Sequence, residues 1–139
     1  NKSLINNEMK YVILIKRNKK RTIKNFNELE NEIREFSNRI NLELYIHDDS
    51  NLPSLIEQQN IFNQAKYVFA PHGAGGIHLT AMQKDSWYIE LINEEINLCY
   101  SRLAYLLDIN YISLSLFKSI INIDNIKKIY NIIQPNKKK

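Results

Sequence analysis

The chain has 139 residues, enough for one domain with a proper core and no covalent staples. Its 44% hydrophobic and 24% charged residues are ordinary globular values, and a single cysteine, Cys99, excludes a disulfide framework and a cysteine metal cluster. The net charge of +4 is concentrated: seven basic residues and no acid lie between Lys10 and Lys24, and Lys137, Lys138 and Lys139 close the chain, which leaves nine of the 19 basic residues against 15 acidic ones.

Tyr11 to Ile15 is a continuous apolar run, the pattern of a strand buried on both faces. After the polar segment from Lys16 to Lys24, Leu29, Ile33, Phe36 and Ile40 recur at spacings of four, three and four. They predict an amphipathic helix capped by Asn25 or Asn27. Leu42 to His47 is the second strand, and Asp48-Asp49-Ser50-Asn51 turns the chain, with turn chemistry preferred over a metal for the acidic pair. Pro53 is placed as a first helical residue of a helix running to about Ala65, with Leu55, Ile56, Phe62 and Ala65 available to the core.

Tyr67 to Ala70 is the third strand, followed by a glycine turn and a short helix to about Gln83. Trp87 to Ile92 is the fourth strand. The next helix, Leu98 to Leu107, turns Leu103, Leu106 and Leu107 inward and holds Cys99 as a buried thiol. Asn110 to Leu116 is the fifth strand. A last helix from about Asn122 carries Ile126, Ile129, Tyr130 and Ile133 and stops at Pro135. Residues 1–134 are thus expected to form a single domain and 135–139 a basic, disordered tail.

Strict alternation of strands and helices predicts an α/β, Rossmann-like, doubly wound and mostly parallel sheet of five to six strands, with helices on both faces. Ligands of such sheets gather at the carboxyl ends of the strands. The segments Lys16 to Arg21, His47 to Asp49 and Pro71 to Gly76 all follow strand ends.

The third of these segments is the most telling. Pro71-His72-Gly73-Ala74-Gly75-Gly76 holds all three glycines of the chain, between a strand and a helix. Glycines let an anion approach the backbone, and the unpaired N–H groups of the next helix point at it. The turn fits neither the dinucleotide fingerprint nor a P-loop, and no serine elbow accompanies it as a hydrolase would need. His72 stands where an imidazole can donate to an oxyanion or orient the turn. His47 reads as structural, and His78 is open between a structural and a binding role. Arg17 and Arg21 bracket the loop after the first strand, where guanidinium forks suit diphosphate oxygens. Glu90, between Ile89 and Leu91, must be paired if buried; a ribose diol and a basic neighbour are equal candidates.

In order, Ile13-Leu14-Ile15-Lys16-Arg17, then Arg21 and Asn25, then Gln58 with Ala65, then His72-Gly73-Ala74-Gly75, then Ile89-Glu90-Leu91 resemble the C-terminal catalytic region of family-61 glycosyltransferases, over about residues 11–115. Where that family places an apolar residue and, two further on, an Asn, this chain has Gly76 and His78. The resemblance implies the nucleotide-sugar-binding half of a two-domain GT-B enzyme: an inverting, metal-independent transferase with no cofactor beyond its donor substrate, UDP-sugar being the expected donor. It implies His72 and Arg17 as catalytic residues. Arg17, Arg21, Asn25, His72, Gly73, Ala74, Gly75, Gly76, His78 and Glu90 would bind substrate. The implied partners are a glycan or protein hydroxyl acceptor and an N-terminal domain or partner chain completing the cleft.

The alternative expectation is a non-catalytic flavodoxin-like domain for a phosphate-bearing ligand or a partner protein. Nucleic-acid binding through the Lys10 to Lys24 segment is disfavoured because no stacking aromatics interleave with its charges. No apolar run approaches the ~20 residues that span a bilayer, and no signal-peptide pattern opens the chain. The default expectation is therefore a cytoplasmic protein, and a start at Asn1 rather than Met is that of a piece of a longer one.

Overall fold

A computed structural model describes residues 8–93 and 99–134, the side chains of 74–77 and of Cys99 excepted. Residues 135–139, with the expected tail and Pro135, and the Cys99 thiol lie outside the described residues. Among the described residues, five strands alternate with helices: β1 (Tyr11–Lys16), α1 (Phe26–Arg39), β2 (Glu43–Asp48), α2 (Leu55–Asn63), β3 (Ala65–Pro71), a 3₁₀ segment (Ala74–Ala81), β4 (Trp87–Ile92), α3 (Cys99–Leu106), β5 (Asn110–Ser115) and α4 (Ile123–Ile133). All four strand pairings are parallel, in the order β2-β1-β3-β4-β5. The chain lays β2 on one side of β1, then returns to lay β3 on the other, so the strand order reverses between β1 and β3.

The period-two alternation of the strands divides the core into two layers. Val12, Leu14, Tyr67, Phe69, Ile89 and Leu91 face α1 and α4, meeting Leu29, Ile33, Phe36, Ile126 and Ile129. Ile13, Ile15, Val68, Ala70 and Tyr88 face the other way, meeting Phe62, Leu79, Met82 and Ala104. Residues 12–15 are at most 1% exposed, because β1 is central and covered on both faces. Stacked Phe36 and Tyr130 rings (4.3 Å) and a hydrogen bond from the Tyr130 hydroxyl to Glu32 (2.8 Å) lock α4 to α1.

Several local expectations need correction. The α2 helix starts two residues after Pro53, at a capping box in which Ser54 Oγ accepts from Glu57 N–H and the Glu57 carboxylate accepts from Ser54 N–H. That start turns Leu55 and Ile56 outward, 64% and 70% exposed, while Phe62 and Ala65 are buried as expected. Leu106 is likewise outward on α3, where Ala104 takes the inward position. The short helix expected after the glycine turn is a 3₁₀ helix and ends at Ala81, two residues before Gln83. Two consecutive glycines followed by Ile77 are poor α-formers, and the tighter winding needs fewer residues to close a turn.

Candidate functional site

The loops leaving β1 and β3 meet at the reversal of strand order, where parallel sheets open a crevice. Gly73 is their point of contact. Its φ is +146°, a conformation that side-chain-bearing residues avoid, and a Cβ added there would lie 2.2 Å from Arg17 Nη1 and 3.4 Å from Arg21 Nη1. Both arginines therefore converge on the glycine turn, and the guanidinium of Arg17 fills the space a side chain would take. Their roles separate at that point. Arg17 is only 16% exposed, donates from Nε to Asp49 Oδ2 (3.2 Å) and keeps Nη1 buried without a partner among the described residues. Arg21 is exposed and adopts φ +56°.

Asp48 and Asp49 serve this loop. Asn18 donates to both carboxylates (2.8 and 2.6 Å), and Asp48 also accepts from the Ser50 N–H (2.9 Å) and hydroxyl (2.7 Å). The bonds from Ser50, then that from Asn18, lower the Asp48 pKa to about 2. Turn chemistry, as expected, accounts for Asp48, whereas the Asp49 carboxylate accepts from Arg17 and Asn18 instead.

His72 follows β3 and is held by a carboxylate. Its Nδ1 contacts Glu90 Oε2, and Glu90 Oε1 accepts from the Tyr111 hydroxyl. Glu90 is 0% exposed, so both its oxygens are occupied inside the protein, by a basic neighbour and a phenol rather than by an open space for a ribose diol. A carboxylate on Nδ1 sets which imidazole nitrogen faces away from it, here Nε2. The Tyr100 ring lies 5.2 Å from the imidazole. Tyr88, behind this group, is fully buried, and its hydroxyl has no hydrogen-bond partner among the described residues. Burial, followed by the charge of Glu90, drives its pKa well above the ordinary phenol value, and Arg17 opposes the shift.

Above these groups lies a pocket of about 420 Å³ at the carboxyl ends of β3, β4 and β5. Arg21 and His72, both candidates from the sequence, line it; Asn93, Lys118 and Ser119 line it without having been singled out. The only sequence signal for these three is that they follow the ends of β4 and β5. Arg17 backs the turn instead of lining the pocket.

The remaining candidates are placed apart from the pocket wall. Asn25 occupies the α1 cap position but makes no capping bond. Its carboxamide exchanges two bonds with the backbone of Ile121, donating to the carbonyl (2.8 Å) and accepting from the N–H (3.0 Å), and so ties the β1 loop to the chain after β5. Gln58 is buried and donates to the Pro53 carbonyl (3.0 Å). His78 is 9% exposed, stacked on Phe62 at 4.1 Å with His47 4.9 Å away. The backbone of Ala74, Gly75 and Gly76 forms the start of the 3₁₀ segment; their side-chain positions lie outside the described residues. Among the described residues, no helix is long and apolar enough to cross a membrane.

In a comparison with protein-family models, the model described as Glycosyltransferase 61 matches residues 1–89. No curated protein matches the chain. The matched stretch carries Arg17, Arg21, the glycine turn and the strands that bring them together, and ends one residue before Glu90.

Proposed function

The chain belongs to glycosyltransferase family 61, and on that premise we propose that it binds a nucleoside-diphosphate sugar, UDP-sugar foremost, for inverting, metal-independent transfer to a hydroxyl of a glycan or protein. In such a transfer the acceptor oxygen bonds to the anomeric carbon as the bond from that carbon to the diphosphate oxygen breaks. The electron pair departs on the diphosphate, whose growing charge must be met by fixed positive groups. The convergence of two guanidinium groups on Gly73 carries this reading. Arg21 offers an exposed fork at the pocket, and Arg17 offers a buried Nη1 that has no partner among the described residues. His72, oriented through Nδ1 by Glu90, turns Nε2 to the same diphosphate, and the N–H groups at the start of the 3₁₀ segment add to the cradle.

A GT-B enzyme would complete this cleft with a second domain bearing most of the acceptor site, supplied by the same protein or by a partner chain. The isolated domain is then expected to bind donor better than it turns it over. The strand order β2-β1-β3-β4-β5, that of flavodoxin-like sheets, favours one second reading: a non-catalytic domain for a phosphate-bearing ligand. Calorimetric titration with UDP, UDP-sugars, FMN and inorganic phosphate, with and without EDTA, separates the two. Saturable binding of UDP or a UDP-sugar, insensitive to EDTA and weakened by Arg21→Ala, is the expected result. Preferential binding of FMN or phosphate would favour the second reading.

A further inference from the structure

Among the described residues, six other than glycine have positive φ: Arg21, Asn41, Asp85, Asp108, Lys118 and Ser119. Asn and Asp tolerate this conformation, and their three positions are ordinary turns. The other three are Arg21 (+56°), Lys118 (+51°) and Ser119 (+67°), and all three line the pocket above the glycine turn. Glycine would sit at these positions without steric penalty, yet this chain places two cations and a hydroxyl there. Backbone held in a disfavoured region needs surroundings that determine it, and such outliers cluster at ligand sites.

The surroundings are visible. Asn93, at the end of β4, accepts from the Ser119 N–H (3.0 Å) and donates to its Oγ (3.3 Å). Ser119 O accepts from Lys24 N–H (2.8 Å), and Phe117 and Ile120 exchange backbone bonds across the turn. The loop after β5 is thereby fastened to the segment between β1 and α1, and it lines the pocket together with Arg21. With Oγ accepting from Asn93, the Ser119 hydroxyl proton remains available to donate. Lys118 makes no ion pair among the described residues, its ammonium lying 5.4 Å from the Phe117 ring.

We propose that Lys118 and Ser119 form the second wall of the diphosphate site, Lys118 supplying charge opposite Arg21 and Ser119 a hydroxyl donor. The inference rests on the nucleotide-sugar reading and extends it to a loop outside the family match, which ends at residue 89.

Lys118→Gly tests it well, because glycine suits the local φ and the fold should be kept or stabilised. The variant is titrated by calorimetry with UDP, inorganic pyrophosphate and uridine, beside Lys127→Ala as an exposed control on α4. Loss of one charge-assisted contact predicts roughly five- to ten-fold weaker UDP and pyrophosphate binding, with uridine affinity and the control unchanged. Ser119→Gly should weaken UDP less, roughly two- to five-fold. UDP affinity unchanged in Lys118→Gly, or uridine weakened as much as pyrophosphate, would overturn the assignment while leaving the nucleotide-sugar reading intact. A wild-type chain that binds none of the three probes would remove that reading and this inference together.

Discussion

Gly73 bears two constraints at once, a backbone angle that side chains avoid and a guanidinium where a Cβ would stand. Gly73→Ala must strain the backbone and also displace Arg17, whose flexible end can move but only by leaving the turn. The expected result is a loss of about 1–3 kcal/mol in urea unfolding, accompanied by weakened UDP binding. An alanine variant as stable as the parent would contradict the packing of Arg17 on the turn. Tyr111 tests the other half of the site. Its hydroxyl serves a carboxylate with no access to water, so Tyr111→Phe leaves Glu90 Oε1 buried without that donor. A destabilisation of about 2 kcal/mol is expected by urea denaturation. A change within experimental error would mean that the Glu90 oxygen is satisfied in another way.

At the scale of elements, the 3₁₀ segment decides how well the turn is held, and it is anchored through His78. That imidazole stacks on Phe62 of α2 and meets His47 of β2. Burial, followed by the nearby His47, lowers the His78 pKa to about 4. Burial also lowers that of His47, with Asp49 and then Asp48 opposing. Folding therefore disfavours the charged form of both imidazoles, while the unfolded chain takes up protons below about pH 6.5. Stability is complete above that pH and falls as the pH drops toward 4. Discounted for solvent screening, the loss between pH 7.5 and 5 should be about 1 kcal/mol. His78→Phe keeps the stack and should flatten this slope in urea titrations at the two pH values; an unchanged slope would place its origin elsewhere. The helix α2 shows the opposite case, an element whose local signal misled. Pro53 suggested a start that the Ser54 capping box sets two residues later, and the rotation sends Leu55 and Ile56 into solvent.

For the molecule as a whole, strand and helix alternation was legible in the sequence, and with it a parallel sheet whose strand ends carry the candidate site. The apolar runs Tyr11 to Ile15 and Tyr67 to Ala70 read as covered strands, and they form β1 and β3, two of the three inner strands. Strand order was not legible, because alternation does not say on which side of β1 each later strand is laid. The site divides along the same line. Arg17, Arg21, His72 and Gly73 were readable because β1 and β3 each end on them. Lys118 and Ser119 were not, since only the placement of β5 beyond β4 brings their loop over the pocket. The distinct places of Arg17 and Arg21 depend on side-chain direction, and the partners of Glu90 on which strands, β3 and β5, flank β4, neither of which periodicity encodes.

The central claim is that this crevice receives the diphosphate of a nucleotide sugar. Amide and side-chain NMR shifts of the labelled chain, followed as UDP is added, test it most directly. Saturable changes should centre on Arg21, His72, Gly73 and Ser119, at the carboxyl ends of the strands. Changes confined to the opposite end of the sheet, or no saturable change at any residue, would contradict the account.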